Sequence, residues 1–335
     1  MTPVRVAVIG AGAFGESHIV AYQSLPYVTV AAVCDLNAQR AQPIATRYNI
    51  PRWFTNYHEL LQASEIDAVS IATPEDAHLA PTVAALQAGK HVLVEKPIAT
   101  RLEDAEQMLA AARESGCYLM PGHILRFETR YALVKDQIAA GELGEIVSIS
   151  ARRNRPKADA RTYLRTHSVL MLSIHDLDMI LWYIGDRVKR VRGFQRNVQG
   201  YVNPDATWAF LEFENGAVAT VESLWLSPDA AGVTQNDAMQ VTGTRGIAHI
   251  DFTNTGLSLW RERRYLAPDV SYEPRVRGEM FGALKEELAY FMRGVLQARP
   301  PSVVTAEEAV EALRVALAII ESAEQERDVE LKRET

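Results

Sequence analysis

The chain has 335 residues, 48% of them hydrophobic, with 35 Lys and Arg against 42 Asp and Glu for a formal net charge of −7. That length is enough for about two domains with a large buried core, and the dispersed basic residues leave no footprint for nucleic acid. No apolar run has the length that crosses a bilayer, so no membrane partner and a cytoplasmic location are expected, and two distant cysteines, Cys34 and Cys117, have no metal spacing and read as buried reduced thiols.

The first element is the apolar strand in VRVAVIGAGAFG, which runs into Gly10-Ala11-Gly12-Ala13-Phe14-Gly15 and then a helix from about Phe14 to Leu25. The next apolar run, VTVAAVCD, ends on Asp35, twenty residues after Gly15. Strand, glycines, helix and acid in this order form a dinucleotide fingerprint. Gly10 permits the tight turn, Gly12 lets backbone N–H groups approach a pyrophosphate, and Gly15 lets the helix pack on the strand with its N-terminus toward the phosphates. Asp35 is placed to accept hydrogen bonds from an adenosine ribose and to repel a 2′-phosphate, so NAD is expected over NADP.

Strands and helices keep alternating: a helix at about Ala38 to Arg47, the strand DAVSIAT, a helix at about Ala80 to Ala88, and the strand HVLVEKP. Thr100-Arg-Leu-Glu103 then reads as a capping box opening a helix to Ser115, and YLMPGH supplies a fifth strand. The alternation implies a parallel sheet with helical crossovers. After a helix near Tyr131 to Ala140 the pattern changes to period-two runs, from EIVSISARRN to GIAHIDF, separated by turns such as Glu214-Asn-Gly216. These imply a mostly antiparallel open sheet. A helix around Leu172 to Ile184 interrupts it, and Glu279 to Arg293 and Thr305 to Glu324 read as late helices, the last opened by the box Thr305-Ala-Glu-Glu308. The short basic stretch Arg152-Arg153-Asn154-Arg155 is either a solvated strand end or a holder of polar substrate. The open sheet face, with Val218, Val221 and Leu224, is expected to be covered in a homodimer or homotetramer.

Three segments leave the carboxyl ends of the first sheet's strands: Ala72-Thr73-Pro74, Val94-Glu95-Lys96-Pro97, and Gly122-His123 with Arg126 and Phe127. With these words in order, with His78 and the AGKHVLVEKP block, and with the distal His175-Asp-Leu-Asp178, the chain resembles the glucose-fructose oxidoreductase, inositol dehydrogenase and MocA (Gfo/Idh/MocA) family along nearly its whole length. The resemblance implies an α/β protein with an N-terminal Rossmann domain over residues 1–122 and a C-terminal α+β domain over residues 123–335. It implies NAD as cofactor, held by the glycine loop with Ala13 and Phe14, by Asp35, and by Thr73, Pro74, His78, Glu95 and Lys96.

The same resemblance makes Lys96 and His175 the catalytic pair, with Lys96 bonded to the reacting hydroxyl and His175 as acid/base, and makes Asp178, His123, Arg126, Asn154 and Tyr163 substrate contacts. A lysine beside a positively charged nicotinamide has its pKa lowered toward usefulness, and a neutral imidazole is the natural proton acceptor near neutral pH. The chain departs from the inositol dehydrogenase pattern at Met171, where an aspartate usually stands four residues before the histidine. Asp178, Tyr163, His167 or water are then the candidates to orient His175. The expected activity is hydride transfer between nicotinamide and a secondary alcohol or ketone of a cyclic polyol, sugar or sugar derivative. NAD-assisted glycoside cleavage through transient oxidation, and a non-catalytic nucleotide-binding regulator, are the alternatives.

Overall fold

Apolar runs in the first part of the chain become the strands β1 (Val4–Ile9), β2 (Val28–Cys34), β3 (Arg52–Phe54), β4 (Ala68–Ile71), β5 (His91–Glu95) and β6 (Leu119–Gly122). They form one sheet in the order β3-β2-β1-β4-β5-β6, and each pairing is parallel. The crossovers carry helices α1 (Ala13–Gln23), α2 (Ala38–Arg47), α3 (Tyr57–Leu61), α4 (Leu79–Gln87) and α5 (Leu102–Ser115). A sheet covered on both faces needs strands apolar on both sides, and Val6, Ala7, Val8, Val69 and Ile71 are all fully buried. The computed structural model describes residues 2–331 except 63, 64, 164, 234, 254, 255 and 263.

The strand order reverses between β1 and β4, so the loops leaving these two strands diverge and open a crevice at the carboxyl edge of the sheet. Gly10 makes the turn there at φ +103°, and a Cβ on it would lie 2.4 Å from the Ala72 carbonyl oxygen. The capping box expected at Thr100 does not form. Helix α5 begins after Arg101, which is the N-cap and makes no side-chain cap bond, so Thr100 lies one residue too early.

The second compact unit spans residues 129–270 and 311–335. It contains helices α6 (Thr129–Ala139), α7 (Lys157–Ala160) and α8 (Ile174–Ile184), and strands β7 (Ile146–Pro156), β8 (Val188–Arg196), β9 (Ala206–Phe213), β10 (Val218–Ser227), β11 (Asn236–Gly243) and β12 (Ile247–Asp251). The sheet order is β12-β11-β7-β10-β9-β8, with residues 329–330 pairing outside β8. It is a mixed sheet, because β7 and β10 run parallel while the other pairings are antiparallel. A small hairpin, β13 (Leu259–Arg261) with β14 (Arg264–Leu266), stands apart from it.

Side chains alternate across this sheet as the pleat requires. Ile149, Ala151, Ala219, Val221, Leu211 and Met239 are buried on the helix-covered face. Val221 therefore does not belong to the open face, and the reason is parity: it is one residue from Thr220, which points the other way. The open face carries Phe194, 53% exposed, and Phe210, 44% exposed, with Trp208, Val218 and Leu224 half-buried.

The chain then returns to the first unit, which takes in residues 271–310 as well as 1–128. This segment forms the hairpin β15 (Arg275–Val276) with β16 (Glu279–Met280) and the helix α9 (Ala283–Gln297), which packs on α1 and β1. Leu284, Leu288, Phe291 and Met292 on α9 are fully buried, which explains the return: the first domain needs this helix to cover its sheet. The late helix α10 (Ala306–Gln325) opens with a reciprocal box, in which Glu308 N donates to Thr305 Oγ1 at 3.2 Å and Thr305 N donates to Glu308 Oε2 at 3.0 Å. Cys34 is buried, which pushes its thiol up to about 12, and Cys117 is half-buried; both are free thiols.

Candidate active site

The glycine turn and Asp35 form a cradle in the first unit. Gly10 N donates to Cys34 O at 2.8 Å and Glu16 N to Gly12 O at 2.9 Å, fixing the loop and the first turn of α1. Gly12 is the N-cap and supplies no side-chain cap, and a Cβ placed on it would meet nothing within 4 Å. A Cβ on Gly15 would lie 1.8 Å from the Gly10 carbonyl oxygen, so this helix can approach the turn only through a glycine. Asp35 stands beside the opening, its Oδ2 accepting Ala11 N at 2.9 Å and its Oδ1 accepting Asn37 N at 2.9 Å. Each oxygen keeps a lone pair for a ribose hydroxyl. An open helix N-terminus with a fixed acid next to it suits a dinucleotide, and Ala13 and Phe14 lie exposed at its edge.

Strand β5 delivers Glu95 and Lys96 to the same carboxyl edge, where the Lys96–Pro97 peptide is cis. Lys96 is half-buried, while Glu95 is turned inward and 7% exposed. The Glu95 carboxylate accepts from His18 Nε2 at 3.0 Å. His78 is likewise interior, 1% exposed, with its ring nitrogens 2.9 Å from Pro97 O and 3.1 Å from Thr73 O. Burial lowers its pKa. It ties together the loops after β4 and β5, whereas Thr73 is half-buried and Pro74 exposed on those loops. His123 is 1% exposed at the end of β6. Arg126, expected at substrate, is 3% exposed and donates through Nη1 to Val303 O at 2.7 Å and to Glu308 Oε2 at 2.9 Å, fastening the start of α10.

In the second unit, a π-helical turn at Val169–Ser173 leads into α8, an irregularity often found at functional sites. Ser168 and Ser173 hold it to the sheet through Thr207 at 2.9 Å and Ser223 at 3.0 Å. Met171 is buried with Ala160, Leu172 and Trp225, an apolar cluster against which Tyr163 packs. Tyr163 stacks on Trp225 with ring centroids 5.7 Å apart. His175 is half-buried on α8, and Asp178, one turn on, is 1% exposed. His167 does not serve as the partner of His175, because its Nε2 lies 3.2 Å from Gln195 Oε1 and its Nδ1 accepts Val169 N at 3.2 Å.

The basic stretch is solvated only at Arg152, while Arg153 and Asn154 are buried and Arg155 half-buried. Arg153 is 2% exposed and grips Asp176 with two bonds of 2.9 Å, while its Nη1 donates to Asp237 at 2.7 Å and Arg155 donates to the same carboxylate at 2.9 Å. Burial pushes the Asp237 carboxyl up, but the two guanidinium groups outweigh it and hold it below its ordinary value. Asn154 is bonded across the sheet: Nδ2 donates to Glu222 at 2.8 Å and Oδ1 accepts Leu224 N at 3.0 Å. Sequence reasoning missed this cluster and His18. An inward helix position three after Gly15 was the available signal for His18.

Residues 4–123 match a family described as an oxidoreductase family with an NAD-binding Rossmann fold, and residues 131–249 match the GFO/IDH/MocA C-terminal domain. The chain belongs to the GFO/IDH/MocA oxidoreductase family. The uncharacterized oxidoreductase YrbE of Bacillus subtilis is 30% identical over 258 residues, 74% of this chain and 74% of the relative. The myo-inositol 2-dehydrogenase of Thermotoga maritima is 24% identical over 342 residues, 98% of this chain and 99% of the relative. A solved scyllo-inositol dehydrogenase from Lactobacillus casei, with bound NAD(H) and scyllo-inositol, shares the fold with a TM-score of 0.84 at 21% identity, over 98% of this chain and 99% of that one. The first domain is thus an NAD-binding Rossmann domain and the protein an NAD-dependent oxidoreductase. Among the described residues no helix is long and apolar enough to cross a membrane, and no group of three or more His, Cys, Asp and Glu could hold a metal ion.

Proposed function

We propose that this protein transfers a hydride between NAD and a secondary alcohol or ketone of a cyclic polyol, sugar or sugar derivative. The observation that carries the reading is the open glycine cradle with Asp35 on the same sheet edge that presents Lys96. Bound NAD would supply the hydride acceptor. Lys96 and His175 would handle the hydroxyl proton, since a group within about 2.6–3.2 Å of that oxygen must accept or donate it. Asp178, His123 and Tyr163 are the proposed hydroxyl contacts. Asn154 and Arg126 are left out of this set because their polar atoms are engaged within the fold. The relatives named for inositol support a polyol class.

We also propose that a second copy covers the open sheet face, which presents Phe194, Phe210 and Trp208 among charges of both signs, Arg190, Arg192 and Glu212. An isologous two-fold contact uses the same patch on both copies, and this face offers aromatic rings and both signs of charge for one. Light scattering of the eluting protein checks it: a monomeric mass would refute the interface. For the activity, the experiment is a screen of inositols, aldoses, sugar phosphates, sugar nucleotides and glycosides for NAD reduction. NADH formation with one or more free polyols or sugars supports the reading. Glycoside cleavage without net NADH, or no turnover with any of them in either direction, would overturn it.

A further inference from the structure

We infer that His18 is a positioning residue that locks Lys96 to the helix forming the cofactor cradle. The inference rests on the proposed role of Lys96 in handling the proton. His18 is fully buried on α1, three residues past Gly15, and its ring is bonded on both sides. Nε2 lies 3.0 Å from Glu95 Oε1, and Nδ1 lies 2.7 Å from Ser70 Oγ. An ionised carboxylate only accepts, so Nε2 carries the proton toward Glu95 and Nδ1 is open to accept the Ser70 hydroxyl. Three elements meet here: α1, whose N-terminus forms the cradle; β4, which carries Ser70; and β5, which ends on Glu95.

The other oxygen of Glu95 faces Lys96 N at 3.3 Å, so the carboxylate links His18 to the backbone of the lysine itself. Gly122 on β6 completes the seat. A Cβ there would fall 2.7 Å from Glu95 Oε1 and 3.2 Å from Oε2, so the carboxylate occupies the place of the missing side chain. On the far side of the lysine, His78 holds Pro97 O. Residues 95–97 are therefore gripped from both ends.

Apolar packing could fill such an interior without the desolvation cost of a buried carboxylate and imidazole. What the polar arrangement adds is a fixed register between cradle and amine. Misplacement of a reacting group by about 1 Å can cost roughly 10²-fold in rate, which is the effect this register prevents.

The test uses His18→Ala, Gly122→Ala and His18→Gln in the full-length protein. It follows NADH affinity by fluorescence, kcat and KM for the polyol found in the screen, and the ¹³C resonance of reductively methylated Lys96, assigned with Lys96→Arg. Both alanine variants are expected to lower kcat about 10- to 100-fold, to move the Lys96 resonance and its titration midpoint, and to keep NADH affinity within about threefold. His18→Gln, which keeps a donor toward Glu95, is expected to recover most of kcat. A folded alanine variant with wild-type kcat and an unmoved Lys96 resonance would overturn the proposal, as would failure of the glutamine to recover more than the alanine. If His18→Ala does not fold, Gly122→Ala decides, because it displaces Glu95 and removes no polar group. A wild-type protein inactive on every polyol sinks the functional reading, while the Lys96 resonance still decides the positioning role.

Discussion

Replacing Arg153 with Met removes the partner that makes both bonds to Asp176 recorded in the cluster, while Asp237 keeps Arg155. A buried carboxylate stripped of its cation typically costs about 3–5 kcal/mol. Asp176 can escape by taking a proton, and from an ordinary value of about 3.9 that costs about 4 kcal/mol at pH 7. Burial already pushes its carboxyl up in the native protein, which places the penalty toward the lower end, about 3 kcal/mol. The folded variant then binds one proton more than its unfolded chain, so its stability falls by about 1.4 kcal/mol for each pH unit of rise. The penalty should therefore shrink between pH 7 and pH 5 by the part of that slope that the wild-type carboxyl, itself pushed up by burial, does not share, at most about 2.7 kcal/mol. Melting curves of wild type and Arg153→Met at both pH values measure it: a deficit of about 6–12 °C at pH 7 is expected for a unit of this size, narrowing at pH 5. Adding Asp176→Leu should restore most of the loss, because an apolar replacement of the whole pair leaves no stranded charge. A deficit within 2 °C at pH 7 on a scale of about 2–4 °C per kcal/mol, or one independent of pH, would refute the argument.

Three further outcomes are expected. NAD should support turnover better than NADP because Asp35 stands beside the cradle; a preference for NADP, measured as kcat/KM, would remove Asp35 from the ribose and turn attention to Arg40. Burial lowers the pKa of His78, His91 and His167, so below about 6.5 the unfolded chain takes up protons that the folded chain does not. Stability should fall as pH drops through that value toward their folded values, and again at lower pH as Asp237 is protonated; urea unfolding from pH 7.5 to 4 checks the slope, and a flat profile contradicts it. With Met171 in an apolar cluster, His175→Ala should keep more activity than Lys96→Ala, and Met171→Asp should raise the pKa seen on the acid limb of kcat; equal loss in both alanine variants would shift the proton transfer from Lys96 to His175.

The parallel sheet and its crevice were legible because Gly10, Gly12, Gly15 and Asp35 are local constraints whose spacing encodes a strand, a turn and a helix. The mixed order of the second sheet was not, since β7 and β10 are parallel through a long excursion that leaves no mark on either strand's own pattern. The return of α9 to the first domain was hidden for the same reason: its amphipathic face says that it packs, not on what. Within the site, sequence identified residue types and missed their bonds. Glu95, His78, Arg126 and Asn154 sit in or beside motifs, yet their partners are 77, 19, 182 and 68 residues away. Thr100 shows a local failure, because a capping motif shifted by one residue satisfies no N–H group.

The most direct test of the account is the ratio of kcat for wild type and Lys96→Ala at saturating NAD and polyol, with NADH affinity measured alongside. A ratio of about 10² or more with unchanged NADH binding is expected. A ratio near one in a folded variant would contradict it.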